Sequence, residues 1–179
     1  MPDSPLLLES STLINLAASR ELSSIVDALG RPVVVCDAAH AECLLPSDMS
    51  EGPLVQANLD DLFQMKALIR CVGPSAGEEE LFVELATMLD DAEAMAVAIA
   101  MRREYGLASD DAKVRSVFEQ QVGSSARLLS TPALLQRWVE CGHVPHARAR
   151  EAMKRIAADA RFRPRKDDSS CAWWERLVA

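Results

Sequence analysis

The sequence predicts an α/β protein, a three-layer αβα sandwich with a short central parallel sheet and a C-terminal helical extension. Short apolar runs, Leu6–Leu8, Val33–Cys36 and Gly106–Ser109 among them, alternate with segments of helical spacing. That alternation is the mark of βαβ units, whose helices cover both faces of a parallel sheet. Acidic residues stand directly after several of the runs. In such sheets ligand sites form at the carboxyl ends of the strands.

Taken in order, "PLLLESSTLINLA" opens with the strand Leu6–Leu8 and turns polar at Glu9. Leu13, Leu16 and Ala17 then carry helical spacing through "STLINLAASRELSSIVDAL". Gly30 and Pro32 punctuate the chain before the β-branched strand Val33–Cys36, and Asp37 caps a helix running to Leu45. "PSDMSEGP" reads as a polar loop, and "ANLDDLFQMKALIRCVG" as a short helix with a third strand near Leu68–Val72. Two helices follow, around Glu79–Met88 and Ala92–Glu104, with a break near Asp90–Asp91. Ala94, Ala96, Ala98 and Ala100 let the second lie close to a sheet. "GLAS" is the next strand, and a helix runs from Ala112 towards Gln121, with Asp110 as its cap and Asp111 in its first turn. "SSARLLSTPALLQRWVECG" supplies a further strand and helix, "PHARAREAMKRIAADARF" an amphipathic helix, and "RPRKDDSSCAWWERLVA" a polar tail ending in an aromatic pair.

The chain has 179 residues, 49% apolar and 26% charged, which suits one globular domain with a small appendage. No apolar stretch is long enough to span a bilayer, so no membrane partner is expected. "MPDSPLLLESS" lacks a basic n-region and does not read as a signal peptide, so a cytoplasmic location is expected. Five scattered cysteines read as reduced thiols, with Cys36 and Cys71 in the core. "CGHVPH" reads as a turn rather than a zinc site. The net charge of −8 is uneven: residues 144–179 hold nine Lys or Arg against five Asp or Glu, and residues 1–143 hold ten against twenty-two. This divides the chain into an acidic body, 1–143, and a basic helix and tail, 144–179. Such a tail meets phosphates, meets an acidic partner, or is a solvated helix face. Trp138, Trp173 and Trp174 are expected to pack helices against the body rather than to stack on bases.

Four segments each deliver carboxylates near a strand end or helix start. These are Glu9, Glu42, Glu93 and the pair Asp110–Asp111. In a parallel sheet they can converge, and clustered carboxylates call for a hard cation such as Mg²⁺ or Mn²⁺. Glu42 interrupts the small, apolar helix "AAHAECLL", where an unpartnered glutamate is costly if buried.

These segments resemble the PIN domain (PilT N-terminus) nucleases. "LLLESSTLINLA" is similar to the family's opening strand, acid and helix, and "VVVCDAAHAECLL" to its second strand and acidic helix. "LDDAEAMAVAIA" resembles its acidic helix start, and "LASDDAKVR" its final strand with paired acids. The resemblance covers roughly residues 5–140. It implies a metal-dependent ribonuclease using Mg²⁺ or Mn²⁺, the toxin of a toxin–antitoxin pair. Glu9, Glu42, Glu93 and Asp111 would be catalytic and, with Asp110, would hold the metal. Ser11, Arg115, Arg161 and Arg163 would contact RNA. An antitoxin protein and a second copy of the chain are the further partners it suggests. The chain departs from the family at Glu9, where aspartate is usual, at Ala92, where glycine precedes the acid, and in its greater length. Glu9 leaves open a catalytically weakened module that binds RNA or protein. A phosphate-ester enzyme of another kind finds no glycine-rich loop here.

Overall fold

The computed structural model describes residues 4–44, 59–71 and 73–179. Five strands, β1 (Leu6–Leu8), β2 (Val33–Cys36), β3 (Ile69–Cys71), β4 (Gly106–Ala108) and β5 (Leu128–Leu129), form one sheet in the order β3-β2-β1-β4-β5. Every pairing is parallel. The three central strands are buried along their whole length, as a sheet covered on both faces requires. Edge strand β3 instead exposes Ile69 and Arg70.

Around the sheet lie α1 (Ser10–Ala18), α2 (Leu22–Leu29), α3 (Asp37–Leu44) and α4 (residues 59–64). They are followed by α5 (Ala76–Leu85), α6 (Asp91–Arg102), α7 (Ala112–Val122), α8 (Thr131–Cys141), α9 (His146–Asp159) and α10 (Cys171–Val178). Helices α1, α2, α8, α9 and α10 pack on one another as one layer, and α5, α6 and α7 as the other. Helix α3 packs on both α1 and α6. The three layers expected from the sequence are present. Ala94, Ala96, Ala98 and Ala100 are fully buried and bring α6 down onto β1 and β4. Among the described residues no helix is long and apolar enough to cross a membrane.

Three local readings change. The single helix expected after β1 is two, because the Ser19 hydroxyl donates to Leu16 O (2.5 Å) and accepts from Glu21 N (3.0 Å), and Arg20 turns the chain at φ 61°. The cap of α7 is Asp111 and not Asp110: Oδ1 of Asp111 accepts from the amides of Lys113 (2.7 Å) and Val114 (3.0 Å). The polar tail contains a helix, α10, whose Cys171, Trp174 and Leu177 recur every third residue and are buried. Leu45, the expected loop 46–53 and Val72 lie outside the described residues.

Residues 144–179 share the core of the sheet: Ala149, Met153, Ile156, Trp174 and Leu177 join the same apolar cluster as β1 and β2. Trp138 is fully buried, with Nε1 donating to Ser24 Oγ (3.0 Å). Trp138 and Trp174 therefore pack helices, as expected. Cys36 and Cys71 are buried, and Cys141 lies exposed at the end of α8.

Candidate functional site

The strand order reverses direction at β1. The chain moves outward from β1 to β2 and β3, then returns to place β4 on the other side of β1. The crevice at the carboxyl ends of β1 and β4 is thus the topological switch point, the usual ligand position in open parallel sheets. Because Leu8 pairs with Ala108, the next residues, Glu9 and Ser109, stand side by side. The Glu9 amide donates to Ala108 O (3.0 Å).

Glu9 is 3% exposed and caps α1. Its Oε1 accepts from Ser10 Oγ (2.5 Å) and the Ser11 amide (3.1 Å). Its Oε2 accepts from the Ser11 hydroxyl and from Ser109 Oγ (3.1 Å). Three serines thus hold this carboxylate at the seam between the strands. Ser11 spends its proton on Glu9 and accepts from the Asp110 amide (3.4 Å), so it positions the acids.

The two adjacent aspartates do different things. Asp110 faces the α1 and α8 side. Its Oδ1 accepts from the Thr131 amide (2.9 Å), and its Oδ2 from Thr131 Oγ1 (2.5 Å), Asn15 Nδ2 (2.9 Å) and Thr12 Oγ1 (3.4 Å). Burial pushes its carboxyl pKa up, while bonds from Thr131 and Asn15 and the charge of Arg115 pull it back. Asp111 uses Oδ1 as a helix cap. Its Oδ2 has no hydrogen-bond partner among the described residues.

Glu93 sits in the first turn of α6 in a capping box with Asp90: its amide donates to Asp90 Oδ1 (2.9 Å), and its Oε2 accepts from the Asp90 amide (3.2 Å). Burial pushes its carboxyl pKa up, and the negative charges of Asp90, Asp111 and Glu9 push the same way. Glu93 therefore feels the charges of acids on two other segments, Asp111 and Glu9. Glu42, on α3, is half-buried and has no hydrogen-bond or ion-pair partner among the described residues. It flanks Cys43, whose thiol is pushed up to about 12 by burial first and then by the charges of Glu42 and Glu9.

Glu42, Oε1 of Glu93 and Oδ2 of Asp111 are thus carboxylate oxygens without hydrogen-bond partners among the described residues. Glu9 and Asp110 are already saturated and brace the site. Among the described residues no group of three or more His, Cys, Asp or Glu stands ready to hold a metal ion.

Arg115 Nη1 donates to Ser109 O (3.0 Å) and Leu129 O (3.0 Å), tying the ends of β4 and β5 together. The extended segment after α9 runs past Asp110. Phe162, Pro164, Arg165 and Asp168 join Asp110 and Arg115 in lining a shallow pocket. Arg161 and Arg163 are exposed on either side of Phe162.

The sequence alone does not single out Thr12, Asn15, Ser109 or Thr131. Asn15 does carry a signal, as the polar residue inside "LINLA", a helix otherwise apolar at that point. Thr131 carries none, because its partner lies 21 residues away on another element.

Comparison with protein-family models, curated proteins and solved structures finds no match to this chain.

Proposed function

We propose that this chain is a metal-dependent endoribonuclease, the toxin of a toxin–antitoxin pair, with its site in the crevice between the carboxyl ends of β1 and β4. The observation that carries the proposal is the strand order. It sets Glu9 and the Asp110–Asp111 pair side by side at the switch point, with Glu93 within reach of their charge. RNA as substrate rests on the resemblance of the acidic segments and on the basic segment beside the site, where Arg165 lines the same pocket as Asp110.

Glu42, Glu93 and Asp111 would hold Mg²⁺ or Mn²⁺ through carboxylate oxygens that have no hydrogen-bond partner among the described residues. When bound, the cation supplies Lewis-acid stabilisation of charge on the phosphodiester. Glu9, locked by its serines, forms the base of the site. Asp110 fastens β4 to α1 and α8, so the crevice keeps its shape. The exposed guanidinium groups of Arg161 and Arg163 hold the RNA backbone by its phosphates.

The saturation of Glu9 and Asp110 favours a second reading, a non-cleaving module of the same shape that binds RNA. A mixed RNA pool incubated with Mn²⁺, Mg²⁺ or chelator separates the two. Cleavage with Mn²⁺ is expected for the wild type and is abolished in Glu42→Gln and Glu93→Gln. Glu93→Gln keeps the capping box, because glutamine serves there as well as glutamate. It relieves the crowding of like charges, so without metal it melts at or above the wild-type temperature. The wild type alone gains stability on adding Mn²⁺. Binding without cleavage, together with a melting temperature indifferent to metal, rejects the nuclease and leaves the binding module.

A further inference from the structure

At the carboxyl ends of β2 and β3 the fold sets two cysteines opposite each other. Cys36 is the last residue of β2 and Cys71 the last of β3, and the two are register partners across the parallel pair. Neighbouring strands lie about 4.8 Å apart, and a disulfide spans about 4.4–6.8 Å between Cα atoms. Register partners project from the same face of a sheet, so the two sulfurs share one side. Both residues are buried. Their surroundings are more polar than a space-filling cysteine needs. The amides of Ala39 and Ala38, in the first turn of α3, donate to the Cys36 sulfur. The Arg103 side chain is hydrogen-bonded to Cys71, and its charge favours the thiolate. A helix N-terminus and a guanidinium are two settings that activate a thiol. Burial outweighs both and pushes the two thiols up, so they react slowly at neutral pH.

We propose that Cys36 and Cys71 are an oxidisable pair, which hydrogen peroxide joins as a disulfide fastening β3 to β2. Peroxide is small enough to reach a recessed sulfur on an edge strand. The sulfur of Cys71, as the thiolate beside Arg103, attacks one peroxide oxygen. The O–O bond breaks, hydroxide leaves and takes up the proton shed by the thiol as water, and Cys71 becomes a sulfenic acid. The sulfur of Cys36 then attacks the Cys71 sulfur. The S–O bond breaks, and the hydroxyl leaves with the Cys36 proton as a second water. Two thiols and one peroxide thus give one disulfide and two waters. Among the described residues β3 has β2 as its one strand neighbour, so the bond holds the edge of the sheet. In the unfolded chain it closes a loop over residues 37–70, which restricts that state and favours the folded one. Arg103 keeps both carboxylate oxygens of Glu78, so the bond strands no buried charge. The inference is independent of the nuclease reading.

The test uses the full chain carrying Cys141→Ser, which removes the exposed thiol and with it bridges between copies through that residue. The protein is held in hydrogen peroxide for hours, then denatured, alkylated and mapped by mass spectrometry of its peptides. A peptide pair linked through Cys36 and Cys71 is expected. The oxidised protein is expected to melt about 5–10 °C above the reduced one, and dithiothreitol to reverse both changes. Cys71→Ala abolishes the link and the rise in melting temperature under the same treatment. Cys43→Ala, which removes the nearby buried thiol of α3, keeps both. Absence of any link overturns the pair, as does a link from Cys36 to Cys43, or Cys71 found as sulfinic acid with Cys36 alkylated. A linked protein that melts no higher than the reduced one overturns the fastening of β3.

Discussion

Glu9 does a job that aspartate could not do in the same backbone. Its longer arm reaches back to the Ser11 amide as an N-cap and across to Ser109 on the neighbouring strand. Aspartate is shorter by one methylene, about 1.5 Å. From the same Cα it would keep a capping bond and lose the bond to Ser109. Hydrogen bonds to a charged group are worth about 1.5–3 kcal/mol each. Glu9→Asp is therefore expected to lower stability by about that much and to lower rather than raise any cleavage activity. Chemical denaturation and the RNA assay check this together. A more active Glu9→Asp would mean that the serine cage serves an acid of the wrong length. The adjacent aspartates make a related point. Their mutual repulsion is offset because they point at different donors, Asp110 at Asn15 and Thr131, Asp111 at the amides of its own helix.

Helix α5 shows how one element is fastened. Glu78 is 2% exposed and closes a capping box with Ser75, whose amide donates to its Oε2 (2.6 Å). Arg103, just beyond α6, grips both carboxylate oxygens at 2.5 and 2.9 Å. The Arg103 guanidinium, opposed by burial and helped by the Ser75 amide, brings the Glu78 pKa down to about 2. The folded value lies below the unfolded one, so this pair stabilises the protein fully above the ordinary carboxylate range. That stability is lost as the pH falls towards about 2. Glu78→Gln preserves the cap but removes the charge that faces Arg103, and is expected to cost about 1.5–3 kcal/mol at neutral pH. It should also flatten the loss of stability between about pH 5 and pH 2. Denaturant midpoints measured across that range decide it. Glu93 has the opposite sign. Its raised pKa makes the folded protein gain stability as the pH falls through that value, so the two acids tilt the acid limb in opposite directions.

For the whole molecule, the question is what the basic C-terminal segment is for. Part of it is structural. Arg148 pairs with Glu21 (2.5 Å) and lies over Trp138, and Arg150 donates to Leu177 O (2.7 Å). Phe162 meets Trp174 edge-on at 5.8 Å, which fixes the extended segment against α10. That leaves Arg161 and Arg163 exposed on the segment whose Phe162 and Pro164 line the pocket beside Asp110. RNA binding is expected to weaken steeply with salt. Charge reversal of Arg161 and Arg163 should reduce the slope of log K against log salt by about 1 for each phosphate that is no longer neutralised. An unchanged slope would assign the segment wholly to packing.

The sequence by itself determined the α/β class, the βαβ order and most helix positions. Those follow from local periodicity and punctuation, which are visible one window at a time. Runs such as "VVVC" and the alanines of α6 announce burial on both faces of a sheet without any knowledge of neighbours. It also marked which acids end strands. The tertiary structure alone decided which side of β1 receives β4, and through that which acids share a crevice. It gave Asp110 to Thr131 and Asn15 and left Glu42 without a hydrogen-bond or ion-pair partner among the described residues. It laid Arg31 against Gly106 at the start of β4. It also made a helix of "CAWWERLV", because eight residues with one buried stripe gain their stability from the core they dock on rather than from their own propensity. Each of these outcomes depends on residues far apart in the chain meeting in space, and no local pattern records which distant donor a side chain will meet.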